Sequence, residues 1–352
     1  MSSYNLYGGT PKKTLDLMKH FKENSSLYIY HNSYPEFKSE FEATLGNVYE
    51  GFFGRNIYSH LNKLLSIIDK EDVGIIQTQF SMGEVLGFLV KIFRPKVKLV
   101  VAFVGPFKPP KLKSFLVSLI YRKADSFVYI TEYVKNEKFK QFPILKKMNG
   151  RIIFNGSEKR LDNGKEVLQL EKFSLLDIAG LADWKNIKIL IEALNIIINL
   201  KLKTDIYLYV AGDGPLRKEL EELIDKYRLQ NHIFLLGYQS NVGKLLDNCD
   251  VFVHPAYAEG FGIVIPEAML AEKPIIVSNA GALPELIENE VSGLVVEPHN
   301  ATQWADAILR FLNNPKFAQK LAQNGKQRAS SEFSKEKYTN NYENLYKSIL
   351  EI

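Results

Sequence analysis

Along most of the chain, short runs of β-branched and apolar residues alternate with longer stretches in which apolar side chains recur every three to four positions. The short runs predict strands at 27–30, 73–77, 99–103, 127–130 and 151–154. A second series follows at 175–179, 206–211, 233–236, 251–254, 274–278 and 293–296. Helical spacing appears between them, notably at 186–200, 216–227 and from Pro266 to Ala271. After Ala301 the pattern is purely helical, and in the last segment Tyr338, Tyr342, Leu345, Tyr346 and Ile349 fall on one stripe. Strands alternating with helices predict an α/β protein with doubly wound parallel sheets. The polar stretch Asn155 to Glu171 separates the two series. Sheets of this kind bind ligands at the carboxyl ends of their strands, so a nucleotide-type ligand is expected.

Composition narrows the class. With 352 residues, 46% hydrophobic and 24% charged, the chain fits about two globular domains rather than a disordered, collagen-like or integral membrane protein. Ser118 breaks the run at 115–121, and Lys188, Glu192 and Asn195 cut the run at 187–200, so no run reaches the ~20 residues of a membrane span. The first nine residues show neither a basic flank nor an apolar core, and no secretory signal is expected. A single cysteine, Cys249, excludes an intrachain disulfide and suits a reducing cytosol.

The net charge of +5 is unevenly divided: up to Asn155 the chain holds 23 Lys+Arg against 13 Asp+Glu, whereas the rest is acidic by 5. No aromatic RNA-binding motif, zinc knuckle or Arg-rich arm accompanies the basic half, so nucleic acid is not an expected partner. Within it, residues 111–123 form a basic helical pattern, with Leu112, Phe115, Leu116, Leu119 and Ile120 flanked by Lys111, Lys113, Arg122 and Lys123. Such a helix either packs its apolar stripe on its own sheet or lies on an anionic membrane surface.

Several chemistries are missing. Gly212-Asp-Gly214 lacks the third glycine of a dinucleotide fingerprint, and Gly237 to Gly243 spaces its glycines wrongly for a P-loop. Six scattered histidines and one cysteine offer no zinc spacing, and no metal is expected. What stands out is Asp250-Val-Phe-Val-His-Pro-Ala-Tyr-Ala-Glu259-Gly-Phe-Gly-Ile-Val-Ile-Pro-Glu267-Ala: a strand, a glycine-containing loop and a helix. Gly260 and Gly262 allow close backbone approach, the amides from Gly260 to Val264 lie beside a helix N-terminus that favours a diphosphate, and two carboxylates can accept from sugar hydroxyls.

This stretch resembles the Glu-x7-Glu signature of retaining GT-B glycosyltransferases of the family-4, or group 1, type. The resemblance extends to Gly8-Gly9-Thr10 as the N-terminal glycine loop, Asn155-Gly156 at the end of the first domain and Asp183-Trp-Lys185-Asn186 as the phosphate-contacting segment. Ala211-Gly-Asp-Gly-Pro215 is similar to the turn beside the nucleotide, Gly237-Tyr238 to the turn under the base, and Pro284-Glu285 to the Pro-Glu after the sixth strand. It implies an acceptor-side Rossmann-like domain at 1–157, a donor domain at 158–333 and a terminal helix at 334–352 that crosses back to the first. It further implies that Glu259 contacts the donor sugar and Glu267 the ribose. The amides of Phe261, Gly262, Ile263 and Val264 would hold sugar and phosphate, with Gly212, Gly214 and Tyr238 lining the nucleotide. Lys185 would neutralise the leaving diphosphate, and Gly9 would let its loop close on it.

The chain departs from the family at four places. Gly180 stands where an arginine is usual, Val104-Gly105 where a His-Gly is usual, and Gln77-Thr-Gln79 in the His-x-His region. Only Met1 to Tyr7 precede the glycine loop, so either a very short first strand or a chain that begins inside that strand is expected; Arg217 or a lysine of Lys12-Lys13 is a candidate substitute for the missing cation. The resemblance implies a metal-independent, retaining transferase without a bound cofactor. Its donor would be a nucleoside-diphosphate sugar and its acceptor a glycan or lipid-linked glycan of a bacterial surface polysaccharide. The expected location is the cytoplasm or the inner face of its membrane. Alternatives are an epimerase or a sucrose- or trehalose-type synthase of the same fold, and a non-catalytic nucleotide-sugar-binding scaffold of a glycan assembly complex.

Overall fold

The computed structural model describes residues 9–29, 42, 47–51, 53–106, 117–166, 169–171, 173–201 and 205–351. Every strand pairing among them is parallel. Parallel sheets need cover on both faces, which is why their strands read as continuous apolar runs rather than alternating ones. The chain divides into two units, one formed by Met1–Gly156 with Lys335–Ile352, the other by Ser157–Ser334.

In the first unit, β1 (Leu27–Ile29) pairs with β2 (Val48–Glu50), and β3 (Ile75–Thr78), β4 (Lys98–Phe103), β5 (Ser126–Tyr129) and β6 (Gly150–Ile152) form a sheet in that order. β2 was not expected: its Val-Tyr-Glu lacks the continuous apolar run that marked the other strands. The helix Gly9–His20 begins at Gly9, and the short first strand expected before it lies outside the described residues. The terminal helix Lys335–Leu350 buries Tyr338, Tyr342 and Leu345 against Leu17, Val100, Val128 and Ile153. Gln77 and Gln79 are drawn into this packing: Tyr346 donates to Gln77 Oε1 (2.6 Å) and Thr14 to Gln79 Oε1 (3.4 Å). Of the basic helical pattern, residues 107–116 lie outside the described residues. Residues 117–121 are helical and bury Val117, Ile120 and Tyr121, the last edge-on to Phe103, Phe127 and Phe142. At this end the apolar stripe therefore serves the unit's own core, while Arg122 and Lys123 are exposed.

The second unit holds one six-stranded sheet of β7 (Ser174–Ile178), β8 (Tyr207–Ala211), β9 (Ile233–Gly237), β10 (Val251–His254), β11 (Ile275–Ser278) and β12 (Leu294–Val296). Their spatial order is β12-β11-β10-β7-β8-β9, the doubly wound nucleotide-binding order. The helix Ile187–Asn199 buries Ile187, Leu190, Ile191, Leu194 and Ile197 beneath this sheet. Trp304, fully buried, donates its indole N–H to the Glu297 carbonyl at 3.1 Å. The polar stretch read as a boundary is not a free linker: Asn241 donates to Asp162 (2.6 Å) and to the Lys165 carbonyl (2.7 Å), holding it on the second unit.

Candidate active site

In the order β12-β11-β10-β7-β8-β9 the connections run outward in opposite directions from β7 and β10. Their carboxyl ends flank the switch point, where the diverging loops leave a crevice. Lys185 stands in the one-turn helix Asp183–Lys185 after β7, and Glu259 in the loop after β10. The two side chains, 74 residues apart in sequence, form an ion pair, and each is less than a fifth exposed.

Local backbone chemistry fixes both. Asn186 takes a left-handed conformation (φ 56°), and its side-chain amide donates to the carbonyls of Pro255 (3.2 Å) and Pro298 (2.6 Å). This ties the Lys185 turn to the loop after β10. The Tyr257 amide donates to the Trp184 carbonyl at 3.0 Å, and its hydroxyl bonds Asp183. Glu259 is held by its carbonyl, which accepts from the Ala282 amide at 2.9 Å. Gly281 (φ +59°) makes that approach possible, since a Cβ there would fall 2.6 Å from the Glu259 oxygen and 2.7 Å from its nitrogen.

Behind Glu259 lie two fully buried polar side chains, His254 and Asp177. His254 Nδ1 is 2.8 Å from Asp177 Oδ1, and Nε2 is 3.6 Å from Glu259 Oε2. Burial pushes the Glu259 carboxyl up, but Lys185 and His254 outweigh it and hold the group well below the usual carboxylate range. Burial lowers the His254 imidazole pKa, and Asp177 and Glu259 together raise it above its ordinary value.

The helix expected near Pro266 begins two residues earlier, as Val264–Leu270 with Ile263 as its N-cap; proline is tolerated in a first turn because its missing N–H would have no helical partner there. The Ile265 amide donates to the Gly262 carbonyl at 2.9 Å, placing the amides of Gly262, Ile263 and Val264 at the open start of the helix. Phe261 turns its ring into the unit, edge-on to Phe333, leaving only its backbone for a ligand. Glu267 is 1% exposed, and its carboxylate accepts from Arg160 Nε at 2.7 Å.

Gly212, Gly214 and Tyr238 follow β8 and β9 on the same sheet edge. The Gly212 amide donates to the Gly237 carbonyl at 2.8 Å, and Tyr238 is exposed. Arg217 is committed to Glu221 (3.0 Å) and to the Leu235 carbonyl (3.0 Å), and Lys13 to Asp16 (2.7 Å) and the Gly156 carbonyl (2.5 Å). Of the candidate substitutes for the missing arginine, Arg217 and Lys13 thus make contacts within their own units. Gly9 belongs to the first unit. Arg160, Asp177, His254 and Gly281 were not singled out from sequence. The legible sign for two of them was a charged or imidazole side chain in a strand run that is otherwise mostly apolar. Among the described residues no group of three or more His, Cys, Asp or Glu could hold a metal ion, and no helix is long and apolar enough to cross a membrane.

Residues 158–328 match the family Glycosyl transferases group 1. An uncharacterized glycosyltransferase of Methanocaldococcus jannaschii is 31% identical over 232 residues, 64% of this chain and 60% of that protein. The N-acetyl-alpha-D-glucosaminyl L-malate synthase of Bacillus anthracis is 22% identical over 303 residues, covering 82% of this chain and 78% of the enzyme. The chain thus spans about 60% of the length of the first of these relatives. Among solved structures, Anabaena HepE in complex with UDP superimposes with a TM-score of 0.82 at 19% identity over 97% of this chain and 96% of its own. The match to the Glycosyl transferases group 1 family thus falls within the second unit, and the fold of the chain is that of the GT-B glycosyltransferases.

Proposed function

We propose that the chain is a retaining glycosyltransferase that moves a sugar from a nucleoside diphosphate to a glycan or lipid-linked glycan acceptor. The observation that carries the reading is the Lys185–Glu259 pair at the switch point of a parallel sheet, beside the amide-lined start of the helix Val264–Leu270. Departure of a nucleoside diphosphate builds negative charge on phosphate oxygens. An ammonium and fixed amides already in place stabilise that charge without reorganising, and no metal is needed for the role. Before donor binds, Lys185 and Glu259 neutralise each other; in the proposed complex the ammonium turns to phosphate and the carboxylate to sugar hydroxyls. The leaving phosphate takes the acceptor proton, so no separate general base is required.

Two relatives support the donor and acceptor classes. HepE was solved with UDP-glucose, and a Campylobacter jejuni relative, 29% identical over 226 residues covering 62% of this chain and 60% of that enzyme, transfers N-acetylgalactosamine to a diphospho-undecaprenol-linked glycan. The exposed Arg122 and Lys123 would add electrostatic attraction to an anionic membrane carrying such an acceptor. The test is release of nucleoside diphosphate from a panel of donors, with and without EDTA, by the wild type and by Glu259→Ala and Lys185→Ala. Turnover that survives EDTA and falls in both variants is expected. Unchanged turnover in both variants would overturn the site assignment.

A further inference from the structure

Two polar residues interrupt strands at the centre of the second sheet: Asp177 in Ser174–Ile178 and His254 at the end of Val251–His254. Neither is needed to cap a strand or face solvent, since both are fully buried. Asp177, His254, Glu259 and Lys185 follow one another at 2.8 Å, 3.6 Å and ion-pair contact, from the sheet interior to the site. A buried carboxylate is strongly unfavourable without a cationic or hydrogen-bonding partner. Only Nδ1 is within hydrogen-bond reach of a carboxylate; Nε2, at 3.6 Å from Glu259, acts on it through charge, and an imidazole that carries both protons is attracted to both carboxylates.

We propose that Asp177 and His254 form a positioning pair, in which an imidazolium anchored by Asp177 holds the Glu259 carboxylate charged and aimed at the donor sugar. The inference rests on the reading of Glu259 as the donor-sugar ligand. It adds a working part drawn from the sheet itself, out of reach of substrate. The charged groups acting on His254 are Asp177 from β7, Glu259 from the loop after β10 and Lys185 from the turn after β7. Burial and Lys185 favour the neutral ring, and the two carboxylates outweigh them, so the proton is retained above the ordinary imidazole range. Donor use therefore persists to higher pH than an ordinary imidazole would allow and declines as His254 loses its proton.

The test begins without any donor. Side-chain 15N resonances of the six histidines are titrated in the full chain, with His254 assigned from His254→Asn. One imidazole is expected to stay doubly protonated at a pH where the others are neutral, and to titrate lower in Asp177→Asn and in Glu259→Gln. A single neutral tautomer of His254 at neutral pH in the wild type overturns the pair whatever the donor chemistry. Kinetics then follow hydrolysis of UDP-glucose across pH. Asp177→Asn is expected to weaken donor use by about tenfold to a hundredfold, mostly in KM, and to move the alkaline limb to lower pH. Alkaline limbs that superimpose in wild type and Asp177→Asn overturn the positioning role. Failure of the wild type to turn over UDP-glucose would count against the donor assignment alone, because the imidazole titration still decides the pair.

Discussion

Replacing Lys185 by alanine removes the ammonium that faces Glu259, and the structure sets how the loss divides between stability and catalysis. At an effective dielectric of about 20, unit charges about 4 Å apart attract by about 4 kcal/mol. Truncating one member of a fully buried pair costs about 3–5 kcal/mol. The cost here is smaller, because the two side chains are 18% and 19% exposed and His254 remains 3.6 Å from the carboxylate. A destabilisation of about 1–2 kcal/mol is expected, a fall of about 2–8 °C in Tm for a unit of this size. Catalysis should lose more: removing a group that stabilises the charge of a leaving diphosphate costs about 100- to 1,000-fold in kcat, or about 3–4 kcal/mol. Thermal unfolding and donor turnover measured on one preparation separate the two effects. Lys185→Arg should restore the Tm and part of the rate, since it keeps the charge in a bulkier fork. A Tm that falls as expected while kcat stays within about threefold of wild type would show that Lys185 only neutralises Glu259 and would refute the leaving-group role.

Arg160→Ala leaves the buried Glu267 carboxylate without its 2.7 Å guanidinium contact; a loss of about 2–3 kcal/mol in urea unfolding is expected, with Arg160→Lys intermediate. Gly281→Ala puts a Cβ against the Glu259 backbone at a positive φ. It should cost about 1–3 kcal/mol and lower donor turnover by displacing Glu259, both measurable on the same purified variant. Because the Glu259 carboxyl is held below its ordinary value of 4.5, the unfolded chain takes up a proton there before the folded chain does. Its stabilisation is complete above the ordinary carboxylate range and is lost as pH falls, so Glu259→Gln should flatten the acid limb of a stability–pH profile. Burial pushes the Cys249 thiol up to about 12. A thiol reagent at neutral pH should label it only in denaturant, and rapid labelling of the folded chain would contradict its burial.

What the sequence made legible was whatever depends on local pattern. Runs such as 251–253 and 275–277 are apolar because both faces of a parallel sheet are covered, and that signal survives in a single sequence. The doubly wound reading followed from their alternation with helices, and the order β12-β11-β10-β7-β8-β9 has that form. Lys185 and Glu259 were found because short residue patterns mark the loops that carry them. Their meeting is a property of topology: both loops leave adjacent strands at the point where the connections diverge. Arg160 was missed because a polar stretch between two α/β series reads as a boundary, whereas Asn241 draws it back onto the second unit.

Asp177 and His254 were missed for a different reason, and the reason bears on how such sites are built. A strand is read from its apolar residues, and a lone polar position in it is ordinarily discounted as a strand end or an exposed edge. β7 and β10 are instead neighbours in the middle of the sheet, with Leu176 opposite Phe252 in register. Both polar positions therefore fall inside a covered layer, 77 residues apart and 2.8 Å from one another. Burial there is tolerable only if the charges answer each other, and the chain of answers ends at Glu259. A polar residue in each of two strands that flank a switch point is thus a signal in its own right. It becomes readable once the strand order is known, and it points from the sheet toward the loop residue whose charge it maintains.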